Sequence, residues 1–147
     1  MDLEELLAEA GCKRAMTAFN IAADRGKIDV AAQQFTDDAV MTFSGRTATG
    51  RDGIFAMLSS INHDSDPAHS DEPPVTKLRH HVTTSQIVVD GEEAAGRSYF
   101  VIFTNNGPYH AGVYMDRFRK VDGRWLISRR EVRVDWYGTS SMDRFKD

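Results

Sequence analysis

Apolar residues recur at helical spacing through the first part of the chain, and after residue 74 give way to β-branched and aromatic runs interleaved with polar residues. Residues 3–23 predict a helix: Glu4, Glu5 and Glu9 suit its N-terminal half, and Leu3, Leu7, Ala15, Ala18, Phe19 and Ala22 share a broad apolar stripe. Gly11 weakens the pattern locally and argues for a start nearer Cys12. Arg25-Gly26-Lys27 supplies the stop, Gly26 being free to take the left-handed conformation at a helix end. Asp29 can cap a second, short helix over 30–35. Thr36-Asp37-Asp38 turns the chain into a strand over 39–43 that ends at Ser44-Gly45, and a third helix follows over 51–61.

Residues 62–74 are acidic and contain Pro67, Pro73 and Pro74, the pattern of a long loop that acts as a lid or stays disordered. Four strands come after it, over 75–89, 94–104, 109–121 and 124–136. Asp90-Gly91 and Asp122-Gly123 are hairpin dipeptides, and Asn105-Asn106-Gly107-Pro108 makes the middle turn. Tyr99-Phe100-Val101-Ile102-Phe103 is apolar on both faces, which marks an interior strand. The tail from residue 138 is expected to be loose or partner-bound. Helices first and an antiparallel meander last is an α+β order. One domain covering 1–147 is expected, its curved antiparallel sheet wrapped around the N-terminal helices as a half-open cone. The open end of such a cone offers an apolar pocket with a few inward polar groups.

The candidate chemistry begins at Leu78-Arg79-His80-His81-Val82-Thr83-Thr84. Neighbouring side chains on a strand point to opposite faces, so only one of the two histidines faces the interior unless the strand bulges. Leu78, His80 and Val82 form the more apolar face, which puts His80 inside and His81 outside with Arg79 and Thr83. An inward imidazole needs partners for its nitrogens, and with an ordinary pKa of about 6.5 a neighbouring carboxylate makes it a usable base.

Charge and composition narrow the field without naming a reaction. A net charge of −4 and a pI near 5.7 argue against the basic face that nucleic-acid binding requires, and no nucleic-acid partner is expected. The basic residues between Arg117 and Arg133 are interleaved with Asp116, Asp122, Glu131 and Asp135 and read as ordinary strand polarity. A lone cysteine, Cys12, allows no intrachain disulfide and fits a reducing cytoplasm. No secretory leader and no apolar run of the roughly 18 residues that a membrane span needs can be read, so a soluble protein without a membrane partner is expected.

Phe35-Thr36-Asp37-Asp38-Ala39-Val40, Gly50-Arg51-Asp52-Gly53-Ile54 and Val121-Asp122-Gly123-Arg124-Trp125-Leu126-Ile127 together resemble the SnoaL-like group of the nuclear transport factor 2-like superfamily. The resemblance spans nearly the whole chain and implies the cystatin-like cone. That superfold hosts enzymes, binding modules and scaffolds, so the fold alone does not assign a function. Asp24 and His80 are similar in placement to the Asp/His dyad of the branch that holds hexachlorocyclohexane dehydrochlorinase, scytalone dehydratase and bile acid dehydratase. His110 stands where the scytalone enzyme places a second pocket histidine, whereas Ala23 replaces the tyrosine that precedes the aspartate there. The resemblance implies a lyase or isomerase that works without metal or organic cofactor on a small hydrophobic cyclic molecule. A homodimer or higher homo-oligomer is expected, because the outer sheet face still carries apolar residues.

Each candidate also has an ordinary reading. Asp24 alone is a solvated helix end, His80 a structural histidine bonded to a carbonyl, and His110 a half-exposed strand end beside Pro108. In the catalytic reading Asp24 fixes the tautomer of His80, and His110 or Tyr114 polarises the substrate. Arg129 and Arg133 share a strand face, and one inward guanidinium could clamp a carboxylate; Phe19, Tyr114 and Arg129 are the expected substrate contacts. Trp125 reads as packing. His63 and His69 with Asp64, Asp66 and Asp71 match no closed metal site and read as a solvated loop. The rival readings are a non-catalytic ligand-binding or dimerisation module, and a scaffold like the small subunit of ring-hydroxylating dioxygenases. Neither rival needs both Asp24 and His80 turned inward.

Overall fold

A computed structural model describes residues 1–63 and 75–138. The first helix, α1 (Leu3–Asp24), runs unbroken through Gly11, further than the stripe alone suggests. Its start is fixed by a reciprocal cap: the Glu5 N–H donates to Asp2 Oδ1 at 2.8 Å, and the Asp2 N–H donates to Glu5 Oε2 at 3.3 Å. Gly11 is a packing residue and not a breaker, since a Cβ there would sit 2.5 Å from the Trp125 ring. Leu3 and Leu7 are exposed, and the buried stripe begins at Ala8 and continues through Cys12, Ala15, Phe19 and Ala22. The second helix, α2 (Ile28–Ala32), starts earlier than expected, at an N-cap Lys27 that makes no side-chain cap; Asp29 lies inside its first turn.

Phe35 belongs to the first strand, β1 (Phe35–Phe43), which takes in the Thr36-Asp37-Asp38 segment read above as a turn. The pairing of β1 slips between Phe35 and Val40, and that irregularity holds the two aspartates exposed within a strand. A short strand, β2 (Arg46–Thr49), folds back on β1 through Ser44-Gly45, both at positive φ. The helix α3 (Gly50–His63) follows. The remaining strands are β3 (Leu78–Asp90), β4 (Glu93–Thr104), β5 (Gly107–Val121) and β6 (Arg124–Tyr137). Asp64, Asp66, His69 and Asp71, with most of the expected loop, lie outside the described residues, as does the tail after residue 138.

All six strands form one curved, unclosed sheet in the order β2-β1-β6-β5-β4-β3. The expected meander is its larger part; β1 joins it in parallel to β6, a pairing that no local signal announces. On the concave face α1 buries Cys12, Ala15, Phe19 and Ala22 against Phe35, Phe118 and Ile127. The convex face keeps Tyr99, Phe103 and Trp136 exposed. No helix among the described residues is long and apolar enough to cross a membrane.

Side-chain parity along the strands is reset at slips in pairing. Thr83 has no partner between Val82↔Phe100 and Thr84↔Tyr99, so the inward set of β3 passes from His80 and Val82 to Ser85, Ile87 and Val89. In β6, Ser128 has no partner between Phe118↔Ile127 and Arg117↔Arg129. Counting by twos from the buried Ile127 would turn Arg129 inward, but the slip at Ser128 turns Arg130 in and leaves Arg129 exposed on the convex side opposite Arg117.

Arg130 is fully buried and forms a two-bond ion pair with Asp116, Nε to Oδ1 at 2.8 Å and Nη2 to Oδ2 at 2.9 Å. Burial opposes its charge, but the facing Asp116 carboxylate and the hydrogen bonds outweigh that and raise its pKa. The guanidinium also lies 4.0 Å from the Tyr114 ring centroid and 4.9 Å from that of Phe19. Removing one partner of such a pair leaves the other charged and unmatched. Arg130→Met is therefore expected to cost about 3–5 kcal/mol in urea unfolding, and Arg130→Met with Asp116→Leu to cost less than Arg130→Met alone. A double variant that loses as much as the two single changes added together would contradict this account of the pair.

Candidate functional site

A cavity of about 490 Å³ opens between α1 and β3, the free edge strand of the sheet. That volume lies within the range of small-molecule sites, roughly 300–1,000 Å³. The helix contributes Met16, Asn20 and Asp24 to its wall, and the strand contributes His80, Val82 and Ser85. Asn20 and Asp24 are four residues apart, so the helix repeat puts both on the side that looks toward β3.

Asp24 is the last residue of α1, and its carboxylate reaches the edge strand with both oxygens. Oδ1 lies 2.5 Å from His80 Nδ1, and Oδ2 accepts the backbone N–H of His80 at 3.1 Å. The two side chains are only 10% and 15% exposed, so the contact is largely shielded from water. An ionised carboxylate is an acceptor only, so opposite it the proton is assigned to Nδ1, and in the neutral ring Nε2 then carries the lone pair on the opposite side. The N–H of His80 on the open side of β3 is satisfied by the helix, which also closes part of an otherwise unpaired strand edge.

The family model of the SnoaL-like domain matches residues 4–131. The chain belongs to the SnoaL-like domain family. Its cystatin-like, nuclear transport factor 2-like fold is the one that the sequence resemblance implied. Similar solved structures include a Catenulispora acidiphila protein in complex with S-DNPA, at 25% identity and TM-score 0.76, covering 89% of this chain and 96% of that one. A candidate scytalone dehydratase from Novosphingobium aromaticivorans gives 24% identity and TM-score 0.76 over 93% of this chain and 90% of that one. Hexachlorocyclohexane dehydrochlorinase LinA-type3 from Novosphingobium barchaimii gives 19% identity and TM-score 0.75 over 90% of each. No curated protein sequence matches the chain.

The other candidate residues of this SnoaL-like chain lie elsewhere. His110 stands in one row across the sheet with His80, through His80↔Ile102 and Ile102↔His110, which sets it two strands, roughly 10 Å, away. It is 3% exposed and packs among rings, with centroids 5.0 Å from Tyr109, 5.8 Å from Phe100 and 5.9 Å from Tyr137. Tyr114 is buried between Phe100, stacked at 4.3 Å, and Arg130; burial pushes its phenol well above the ordinary range. Phe19 meets Phe35 edge-on at 5.6 Å in the core. Phe19, His110, Tyr114 and Arg129 are absent from the cavity wall. Arg133 is exposed and pairs with Asp135. Cys12 is buried at the helix–sheet interface, where burial, then Asp116 and Glu9, push its thiol up to about 12. Among the described residues no three His, Cys, Asp or Glu side chains gather as metal ligands.

The residue that sequence reading passed over is Asn20. It is 6% exposed, and its Oδ1 is buried with no hydrogen-bond partner among the described residues, a state that costs about 1–3 kcal/mol. The available signal was its place next to Phe19, a polar residue beside the apolar stripe. Ser85 and Ser98, also overlooked, satisfy each other at 2.9 Å, and Ser98 reaches Met16 Sδ at 3.7 Å.

Burial, and after it the charge of His80, lower the pKa of His110 to about 4. Between that value and the ordinary 6.5 the unfolded chain binds a proton that the folded chain does not, so stability is full above pH 6.5 and falls as the pH drops toward 4. The expected loss is on the order of 3 kcal/mol in chemical unfolding, and it should be missing from the difference curve of His110→Phe. Equal pH profiles for the two proteins over that window would contradict a neutral buried ring.

Proposed function

We propose that this SnoaL-like protein is a lyase or isomerase in which His80 removes a C–H proton next to a carbonyl or leaving group of a small hydrophobic cyclic molecule. The supporting observation is the grip of Asp24 on His80 inside a cavity of ligand size. With the Nδ1 proton held on Asp24, the lone pair of Nε2 takes the substrate proton, and the carboxylate stabilises the imidazolium that forms. The electrons of the broken C–H bond move into an enolate or a new double bond. In elimination the leaving group departs with them; in isomerisation the same proton returns from Nε2 to a different carbon. The dehydrochlorinase and candidate dehydratase among the solved neighbours are eliminating enzymes by name, in keeping with this reading.

Deuterium exchange at the carbon next to a ketone tests the base without requiring the natural substrate. The protein is expected to accelerate exchange of the C1 protons of 2-indanone in D₂O, with the acceleration reduced about 10²–10⁴-fold in His80→Ala and strongly reduced in Asp24→Asn. Exchange no faster than in buffer, or undiminished exchange in His80→Ala, would remove His80 as the base.

A further inference from the structure

We propose that the Asn20 carboxamide is the specificity-determining contact of the cavity: it takes a hydroxyl or carbonyl that the substrate carries one helical turn along the groove from the reacting carbon. The inference rests on the reading of Asp24 and His80 as the reacting end. Asn20 forms part of the wall, is more than nine-tenths buried, and has its Oδ1 without a partner.

Of the other polar side chains around the groove, Thr17 and Thr83 are exposed to solvent, and three are engaged within the protein. Lys13 pairs with Glu9 at 3.2 Å, Ser85 donates to Ser98, and Asp24 is engaged by His80 through both oxygens. Asn20 is the buried polar side chain of this wall, among the described residues, that is left open. A carboxamide offers one acceptor and two donors; Oδ1 as placed is sealed from the groove, so the amide meets a ligand oxygen by turning about its last bond. Met16 and Val82 cover the apolar part of a ligand, and the amide fixes which way round that ligand lies.

Spacing turns this into a statement about substrate class. Asn20 precedes Asp24 by one turn, and a turn rises about 5.4 Å. The favoured ligand is therefore a flat, mostly apolar molecule of one or two rings, with an oxygen substituent at about that distance from its acidic C–H. In 5-hydroxy-2-indanone the C1 carbon and the ring hydroxyl are separated by roughly the same one-turn distance, whereas 2-indanone has no such hydroxyl.

The test is a binding titration followed by NMR, using these two ketones with the wild type, Asn20→Leu and Asn20→Ala. The wild type is expected to bind the hydroxylated ketone about tenfold more tightly than 2-indanone, and both variants to bind the two ketones within twofold of each other. Asn20→Leu should melt no lower than the wild type, because it removes an unsatisfied group; a purely structural asparagine would lower the melting temperature in both variants. Equal affinity of the wild type for the two ketones, or a preference that survives in both variants, overturns the inference. Binding is read independently of exchange. Discrimination without deuterium exchange upholds Asn20 and refutes the base, whereas exchange without discrimination upholds the base and refutes Asn20.

Discussion

The carboxylate of Asp24 divides its two oxygens between the ring and the backbone of a single residue, His80. Through the backbone bond the end of α1 is fastened to the free edge of the sheet. Through the ring bond one tautomer of the imidazole is selected. Both contacts lie at the edge of the cavity, whose wall includes Asp24 and His80. The arrangement has a local cost, because a negative charge at a helix C-terminus opposes the helix dipole by about 0.3–1 kcal/mol, and α1 has no basic residue in its last turn.

Buried polar groups in this fold are of two kinds. Arg130 and Asp116 face each other with two bonds in the core, wrapped by Tyr114 and Phe19, and their charges are matched there. Arg130 Nη1, outside those two bonds, is buried with no hydrogen-bond partner among the described residues. Asn20 has no such ion-pair partner: it is a neutral amide in the cavity wall whose oxygen has no hydrogen-bond partner among the described residues. An orphan group costs folding free energy, and such costs cluster where a protein gives up stability for binding or catalysis. His110 falls between the two: it shares the inward row of His80 but is enclosed by aromatic rings and held neutral at pH 7.

Much of this architecture was legible in the chain. Hairpin dipeptides placed the turns, the helical stripe placed α1, and alternation around His80 and His81 separated an inward ring from an exposed one. Other features were not legible, each for a physical reason. The parallel pairing of β1 with β6 joins segments far apart in sequence, and β2 is four residues long. The inward arginine was misplaced by one position because the unpaired Ser128 reverses parity, and an unpaired residue has no signature in side-chain pattern alone. Asn20 was passed over because an asparagine one turn before an aspartate resembles a helix surface until the opposite wall is known. Gly11 shows the same limit: it looked like a break and is a position where any side chain would collide with the Trp125 ring.

The most direct test of the central claim is the protonation pattern of the His80 ring. Long-range ¹H–¹⁵N correlation NMR on the neutral imidazole distinguishes a nitrogen that carries a proton from one that carries a lone pair. With Asp24 in place, Nδ1 should report the proton and Nε2 the lone pair, and this preference should disappear in Asp24→Asn. A neutral His80 protonated at Nε2 in the wild type would contradict the account, since no lone pair would then remain on the nitrogen assigned to the substrate.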